Sequence, residues 1–371
     1  MNTSSKLAIV LVLCSSAWAQ SKVPSQCPFA PGATYNLKAF AFRLVVADLN
    51  GDGKLDIVVP NNNSRRRSLA LLGNGDGTFQ PFPIPDVGST ATSAAVADLN
   101  GDGKLDIVIS HDAEFSTSLL GNGDGTFQHY VSFHAPGVDT DVSVADFNGD
   151  GHPDLVIAEV GLPGVRIAFG NGDGTFRTSQ VLNGGKQVWA VTTGDFNRDG
   201  HPDVAATSLL RQDVSVFLNN GDGTFGPAQR LLADGSLPRQ VIAADVNGDG
   251  ILDLLTANEF GPTVSVLLGN GDGTFQKQTA YVADQEPWSV AVGDFNHDGY
   301  VDLVTANYVG NDFSLFYGTG GGRFASAVTC PATGNPISVV TGDFNGDGLP
   351  DIAAGVTNGV SIYLNVSGAK R

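Results

Sequence analysis

Hydrophobic residues along this chain fall into short runs rich in β-branched side chains, each bounded by Gly, Asn or Asp. Val264-Ser-Val-Leu-Leu268, Val290-Ala-Val292 and Leu303-Val-Thr305 are examples. Runs this short, closed by turn residues, predict strands. No stretch carries the longer period of an amphipathic helix, so the expected class is all-β.

The runs keep register with two polar signatures. The first reads Asp48-Leu-Asn50-Gly-Asp52-Gly-Lys54-Leu-Asp56 and begins again at Asp98, Asp146, Asp195, Asp245, Asp294 and Asp343, in steps of 48 to 50 residues. The second, Gly73-Asn-Gly-Asp-Gly-Thr-Phe79, recurs with its Phe at Phe127, Phe176, Phe225 and Phe275 and decays to Gly318-Thr-Gly-Gly-Gly-Arg-Phe324. Each unit then reads as inner strand, acidic loop, second strand, variable loop, third strand, tight turn and fourth strand. Four strands in about 40 to 50 residues is the period of a propeller blade. The chain therefore predicts one domain over residues 20–371, a seven-bladed β-propeller of four-stranded blades.

The chain ends predict how the ring closes. A Phe stands 19 or 20 residues before each later acidic motif, and Phe29 stands 19 before Asp48. Residues 28–37 thus match a fourth strand, which the last repeat lacks. Supplying it from the N-terminus removes the exposed sheet edges. The residue before each motif Asp is Ala or Gly, as a crowded axis requires. The residue after it is apolar (Leu49, Leu99, Phe147, Phe196, Val246, Phe295, Phe344) and is expected to pack between blades.

Charge changes the picture from a scaffold to a cation binder. The net charge is −18, which disfavours nucleic acid and anionic membranes as partners. The acids cluster in the seven loops. Hard divalent ions take several oxygen donors, and calcium tolerates an irregular loop. The expected ligands are Asp48, Asn50, Asp52, Lys54 and Asp56; Asp98, Asn100, Asp102, Lys104 and Asp106; Asp146, Asn148, Asp150, His152 and Asp154; Asp195, Asn197, Asp199, His201 and Asp203; Asp245, Asn247, Asp249, Ile251 and Asp253; Asp294, Asn296, Asp298, Tyr300 and Asp302; and Asp343, Asn345, Asp347, Leu349 and Asp351. The seventh position varies freely, which suits a backbone carbonyl donor, so His152 and His201 are not read as imidazole ligands. Metal-free Asx turns are the alternative. Seven identical placements of three like charges favour the ion, and up to seven structural calcium ions would offset 14 of the 18 excess negative charges. The Asp residues of the Gly-Asn-Gly-Asp turns read as hairpin chemistry.

At these residues the chain resembles the FG-GAP/VCBS repeat proteins, which share their fold with the integrin alpha-subunit propeller. The resemblance covers nearly all of the chain after the leader. It implies seven blades, calcium between first and second strands, and extracellular adhesion or ligand binding; it carries no ligand identity.

Residues 1–19 read as a secretory leader: Lys6, an apolar stretch from Leu7 to Cys14, then Ala17-Trp18-Ala19. A secreted, periplasmic or extracellular protein follows, with no membrane span. Cys27 and Cys330 fit either one disulfide or two unpaired buried thiols.

Function should lie on the face opposite the acidic loops, where loops vary. Six residues before each motif Asp stand Phe42, Thr92, Thr140, Trp189, Arg239, Trp288 and Ile337. Trp189, Arg239 and Trp288, with Asn258, Asn307 and Tyr308 nearby, are the candidate ligand-binding residues; packing between blades is the alternative use of the two Trp. No nucleophile motif or His pairing marks an enzyme. The preferred reading is a monomeric, non-catalytic binding or adhesion module for an extracellular glycan or surface protein. A structural envelope protein, or a polysaccharide lyase or hydrolase, are the alternatives.

Overall fold

The computed structural model describes residue 24 and residues 26–368, except 39, 63–66, 88–89, 135–136, 162–163 and 233–236. The leader expected at residues 1–19 lies outside the described residues. Among those described there are strands and turns, no helix, and so no helix long and apolar enough to cross a membrane.

Seven antiparallel sheets of four strands form the blades. The fourth is typical: Val188–Gly194, Asp203–Ser208, Asp213–Phe217 and Gln229–Leu232 pair in sequence order. Each inner strand touches its neighbour's, and the ring closes where Val45–Ala47 meets Pro336–Gly342. The seventh blade is completed by Phe29–Asn36, which pairs with Gly359–Asn365 in the register Phe29↔Asn365 and Asn36↔Gly359. Closure by the N-terminal segment is therefore as the Phe spacing requires. Cys27 and Cys330 are joined in a disulfide, tying this strand to Val328–Pro331 of the sixth blade.

Inter-blade packing follows one rule. The apolar residue after each motif Asp is buried, and it packs against the outer-strand Phe of the next blade. Phe147 meets Phe225 edge-on at 5.6 Å, Phe196 meets Phe275 at 5.7 Å, and Phe344 meets Phe79 at 5.5 Å. Phe29 takes the same place against Phe295 at 5.3 Å. Each such side chain contributes roughly 1.5–3 kcal/mol on burial. The small residue before each Asp has a specific neighbour: a Cβ on Gly194 would stand 2.5 Å from Leu252 of the next blade, and one on Gly342 2.6 Å from Leu55.

One irregularity decides what faces the axis. In six blades the inner strand slips register at the residue six before the motif Asp; examples are the slips between Asp139 and Asp141, Pro238 and Gln240, and Pro287 and Ser289. A bulge leaves one residue unpaired and re-aims its side chain.

Candidate functional site

The acidic loops fold onto their own backbone. In the first, Asp48 accepts from Asp52 N at 3.1 Å and Gly53 N at 2.8 Å, Asn50 accepts from Asp52 N, and Asp52 accepts from Lys54 N. Positions one, three and five lie on the surface of the loop. Position nine does not. Asp56 is fully buried, and its two oxygens accept from Leu49 N at 2.8 Å and from Gly73 N at 2.7 Å. The same pair of bonds recurs at Asp106, Asp154, Asp203, Asp253, Asp302 and Asp351. Position nine is thus a latch between the acidic loop and the tight turn, a role the sequence reading missed because the two ends lie 14 to 17 residues apart. Burial pushes these carboxyls up, to about 7 at Asp302 and about 6 at Asp154; the backbone bonds oppose this, and the charges at positions five and one reinforce it.

Position seven covers the turn with its side chain. Lys54 Cδ stands 3.0 Å from where a Cβ on Gly75 would be, and His201 lies likewise over Gly221. Both glycines have positive φ, 77° and 85°, so a side chain there would be strained as well as crowded. Lys54 and Lys104 also sit 3.5 and 3.7 Å from Asp52 and Asp102.

The donor set suits a hard cation. All side-chain donors are oxygens of Asp and Asn, and at Asp98, Asp245 and Asp343 one oxygen already accepts from two backbone N–H groups. Among the described residues, no three His, Cys, Asp or Glu side chains converge as a preformed cage. The loop side chains are turned inward onto N–H groups instead.

At the other end of the axis lies a cavity of about 160 Å³. All seven residues of the column six before the motif Asp line it: Phe42, Thr92, Thr140, Trp189, Arg239, Trp288 and Ile337, joined by Arg43, Asn62, Asp112, Val138 and Val160. The column converges because bulges turn it inward. The Arg239 guanidinium lies 4.7 Å from the Trp189 ring centre and 3.6 Å from that of Trp288. Tyr308 stacks on Trp288 at 4.1 Å and 18°. Two planar groups this close to one ring centre must take its opposite faces, so both faces of Trp288 are covered. Arg239 is anchored by Glu259 at 2.8 Å. Trp288 Nε1 is buried and has no hydrogen-bond partner among the described residues.

The next column, five before each Asp, bridges the blades beneath the pocket. Asp141 accepts from Val191 N, Gln240 from Val290 N and Ser289 from Val339 N, while Arg43 reaches across to Asp141 at 3.6 Å. Sequence reasoning did not single out Arg43, although the column was readable from the repeat.

Two candidates fall elsewhere. Asn258 and Asn307 are fully buried inside their blades. Asn258 donates to Thr263 and Ser265 and accepts from Thr256; Asn307 donates to Asp312 and Ser314 and accepts from Thr305. They close hairpins and do not line the cavity. Packing alone does not describe the two Trp residues: they hold an Arg at the cavity wall.

FG-GAP-like repeat models match residues 48–109, 116–157, 146–206, 207–256, 245–305 and 294–354, and an FG-GAP repeat matches 90–131. The chain belongs to the FG-GAP repeat family. No curated protein matches the sequence. Among solved structures, an Agrocybe aegerita lectin described as recognising non-reducing terminal N-acetylglucosamine is 23% identical, with 85% of each chain covered and a TM-score of 0.56. BBS1N in complex with ARL6DN is 10% identical over 92% of this chain and 97% of that one, at 0.64. A virginiamycin B lyase from Staphylococcus aureus is 11% identical over 90% and 98%, at 0.60. At these identities the likeness is one of fold.

Proposed function

We propose that this FG-GAP propeller is a secreted, non-catalytic binding module. Its ligand presents one ring-sized group to the axial cavity, and calcium in the seven acidic loops stiffens the platform. The carrying observation is the convergence of seven residues of five kinds on one cavity of about 160 Å³, close to the size known to hold a single benzene ring. Covered faces on Trp288 leave no open stacking platform there, which favours a side chain of a surface protein over a sugar. The glycan reading keeps support from the fold shared with a lectin.

The calcium reading is supported by oxygen-only donors at matching positions in all seven loops and by the crowding of three carboxylates in each. Ligation would exchange the inward bonds to loop N–H groups for bonds to the ion.

A Thr140→Trp variant, whose larger side chain fills the cavity, tests the site. The parent and variant are screened on a glycan array and on an array of surface-protein peptides, with calcium and with chelator. Binding that the variant loses supports the axial site; binding it keeps places the ligand elsewhere. Export is tested by N-terminal sequencing of secreted material, with a start after Ala19 expected.

A further inference from the structure

The walls of the axial cavity are mostly apolar: Phe42, Val138, Val160, Ile337 and the two Trp rings. Two guanidinium groups interrupt them, Arg239 in the wall and Arg43 at the base, with side chains 11 and 13% exposed. Each is fixed by an acid and keeps N–H groups to spare. Arg239 donates from Nη1 to Glu259, and Arg43 places its Nη2 3.3 Å from Arg239 O and 3.6 Å from Asp141. Among the described residues, Nε and Nη2 of Arg239 and Nε and Nη1 of Arg43 have no partner, and none of the four is shut away from open space. Guanidinium groups only donate, so what the cavity lacks is an acceptor.

The other polar groups around it are committed or stand at its mouth. Thr140 donates to Val188 O at 3.0 Å, and Thr92 shares its hydroxyl bond with Ser110 at 2.9 Å. Trp288 Nε1 is buried and does not open on the cavity. Asn62 and Asp112 also line the open cleft next door, which places them at the mouth.

Charge and shape decide between occupants of this size. Asp141 and Glu259 cancel the charges of Arg43 and Arg239. An anion would have to pass Asp112 and settle beside two further carboxylates, and a cation would face two guanidinium groups. A pyranose is neutral, but its hydroxyls point outward all round the ring, and the apolar walls would strip them of water without offering partners. A benzene-sized ring with one neutral oxygen at its tip meets every condition, and that group is a phenol.

We infer, resting on the reading of the axial cavity as the binding site, that its occupant is the phenol of a tyrosine on a partner protein, with its hydroxyl oxygen accepting from Arg43 and Arg239. A phenylalanine would fit the same space but leave guanidinium N–H groups stripped of water and unpaired. Sites built to bond a hydroxyl reject the analogue lacking it for that reason.

Titrations of the full chain followed by ligand-observed NMR test it, with p-cresol, toluene, benzoate, benzylammonium and N-acetylglucosamine as probes. p-Cresol should bind best of the five and at least about tenfold more tightly than toluene. Thr140→Trp should abolish binding of every ring. R43K keeps a charge beside Asp141 but gives up the guanidinium fork, so p-cresol should weaken about threefold while toluene is unchanged. Toluene bound as tightly as p-cresol, and lost in Thr140→Trp, overturns the phenol and leaves the axial site standing. Benzoate, benzylammonium or N-acetylglucosamine as the tightest probe also overturns it. Binding of none of the five sinks the axial reading and the phenol with it. Should R43K fail to fold, the ranking of the five probes on the parent still decides.

Discussion

The two ends of this ring solve opposite problems with the same strands. At the acidic-loop end one unit is repeated seven times, and its buried carboxylate always meets the same two backbone N–H groups. At the cavity end the equivalent position holds seven residues of five kinds, brought together by bulges. Uniformity at one end makes the other end free to vary: a side chain can change at the cavity without touching the latch that holds its blade.

If that division is right, the largest loss should come from the latch. Asp253→Ala leaves Val246 N and Gly269 N buried without acceptors, at a cost of about 3 kcal/mol or more, with or without metal. Asp249→Ala, at the exposed fifth position of the same loop, should cost little in chelator and lower the melting temperature only when calcium is present. Differential scanning fluorimetry of both variants with calcium and with chelator reads this directly. Equal behaviour of the two would erase the distinction between latch and ligand. An unchanged parent melt on chelation, with no bound metal, would remove calcium.

The covalent tie comes next. Cys330→Ser opens a bridge spanning 303 residues, for an expected loss of about 2–4 kcal/mol in urea denaturation. A loss below 1 kcal/mol would show that packing of Phe29 on Phe295 closes the ring unaided.

A pH-dependent contribution follows, from beside the cavity. Asp139 is fully buried, accepts from Ser116 at 2.6 Å, and has its carboxyl pushed to about 8, mainly by burial with some help from Glu159. A raised value means that the folded state holds the proton. The stabilisation is fully present below about 3.8 and is lost as pH rises towards 8. Asp139→Asn should flatten that decline, by a few kcal/mol between pH 4 and 8. Parallel stability profiles for parent and variant would contradict it. The smallest effect belongs to three hairpin tips, Leu210, Phe260 and Val309: L210S/F260S/V309S should change stability by less than about 0.5 kcal/mol, since all three are solvent-facing. A larger loss would make the tips part of the scaffold and weaken the contrast between the two ends.

The sequence carried the architecture because the architecture is periodic. Blade number, the closing role of Phe29 and the packing of Phe147 or Phe344 could be read by comparing copies. The site was less legible. The column of Trp189, Arg239 and Trp288 was visible, yet its convergence depends on bulges that leave no sequence mark. Asn258 and Asn307 misled because each is the last residue of its strand and turns into the blade, whereas Tyr308, the first residue of the turn that follows, stacks on Trp288. The latch escaped because its acceptors and donors sit on different turns of the repeat. Whether Cys27 and Cys330 pair was undecidable without knowing that the N-terminal strand lies beside the sixth blade.

Closure by the first strand has a consequence for how the molecule is made. Phe29 pairs with Asn365, so the strand synthesised first waits for almost the whole chain before it has a partner. Contacts so distant in sequence are slow to form, and until they do the last blade presents a bare edge. Six blades can assemble in order as they emerge, but the seventh is a gathering of both ends. Its rate, more than that of any single blade, should set the time the protein spends open to misassociation.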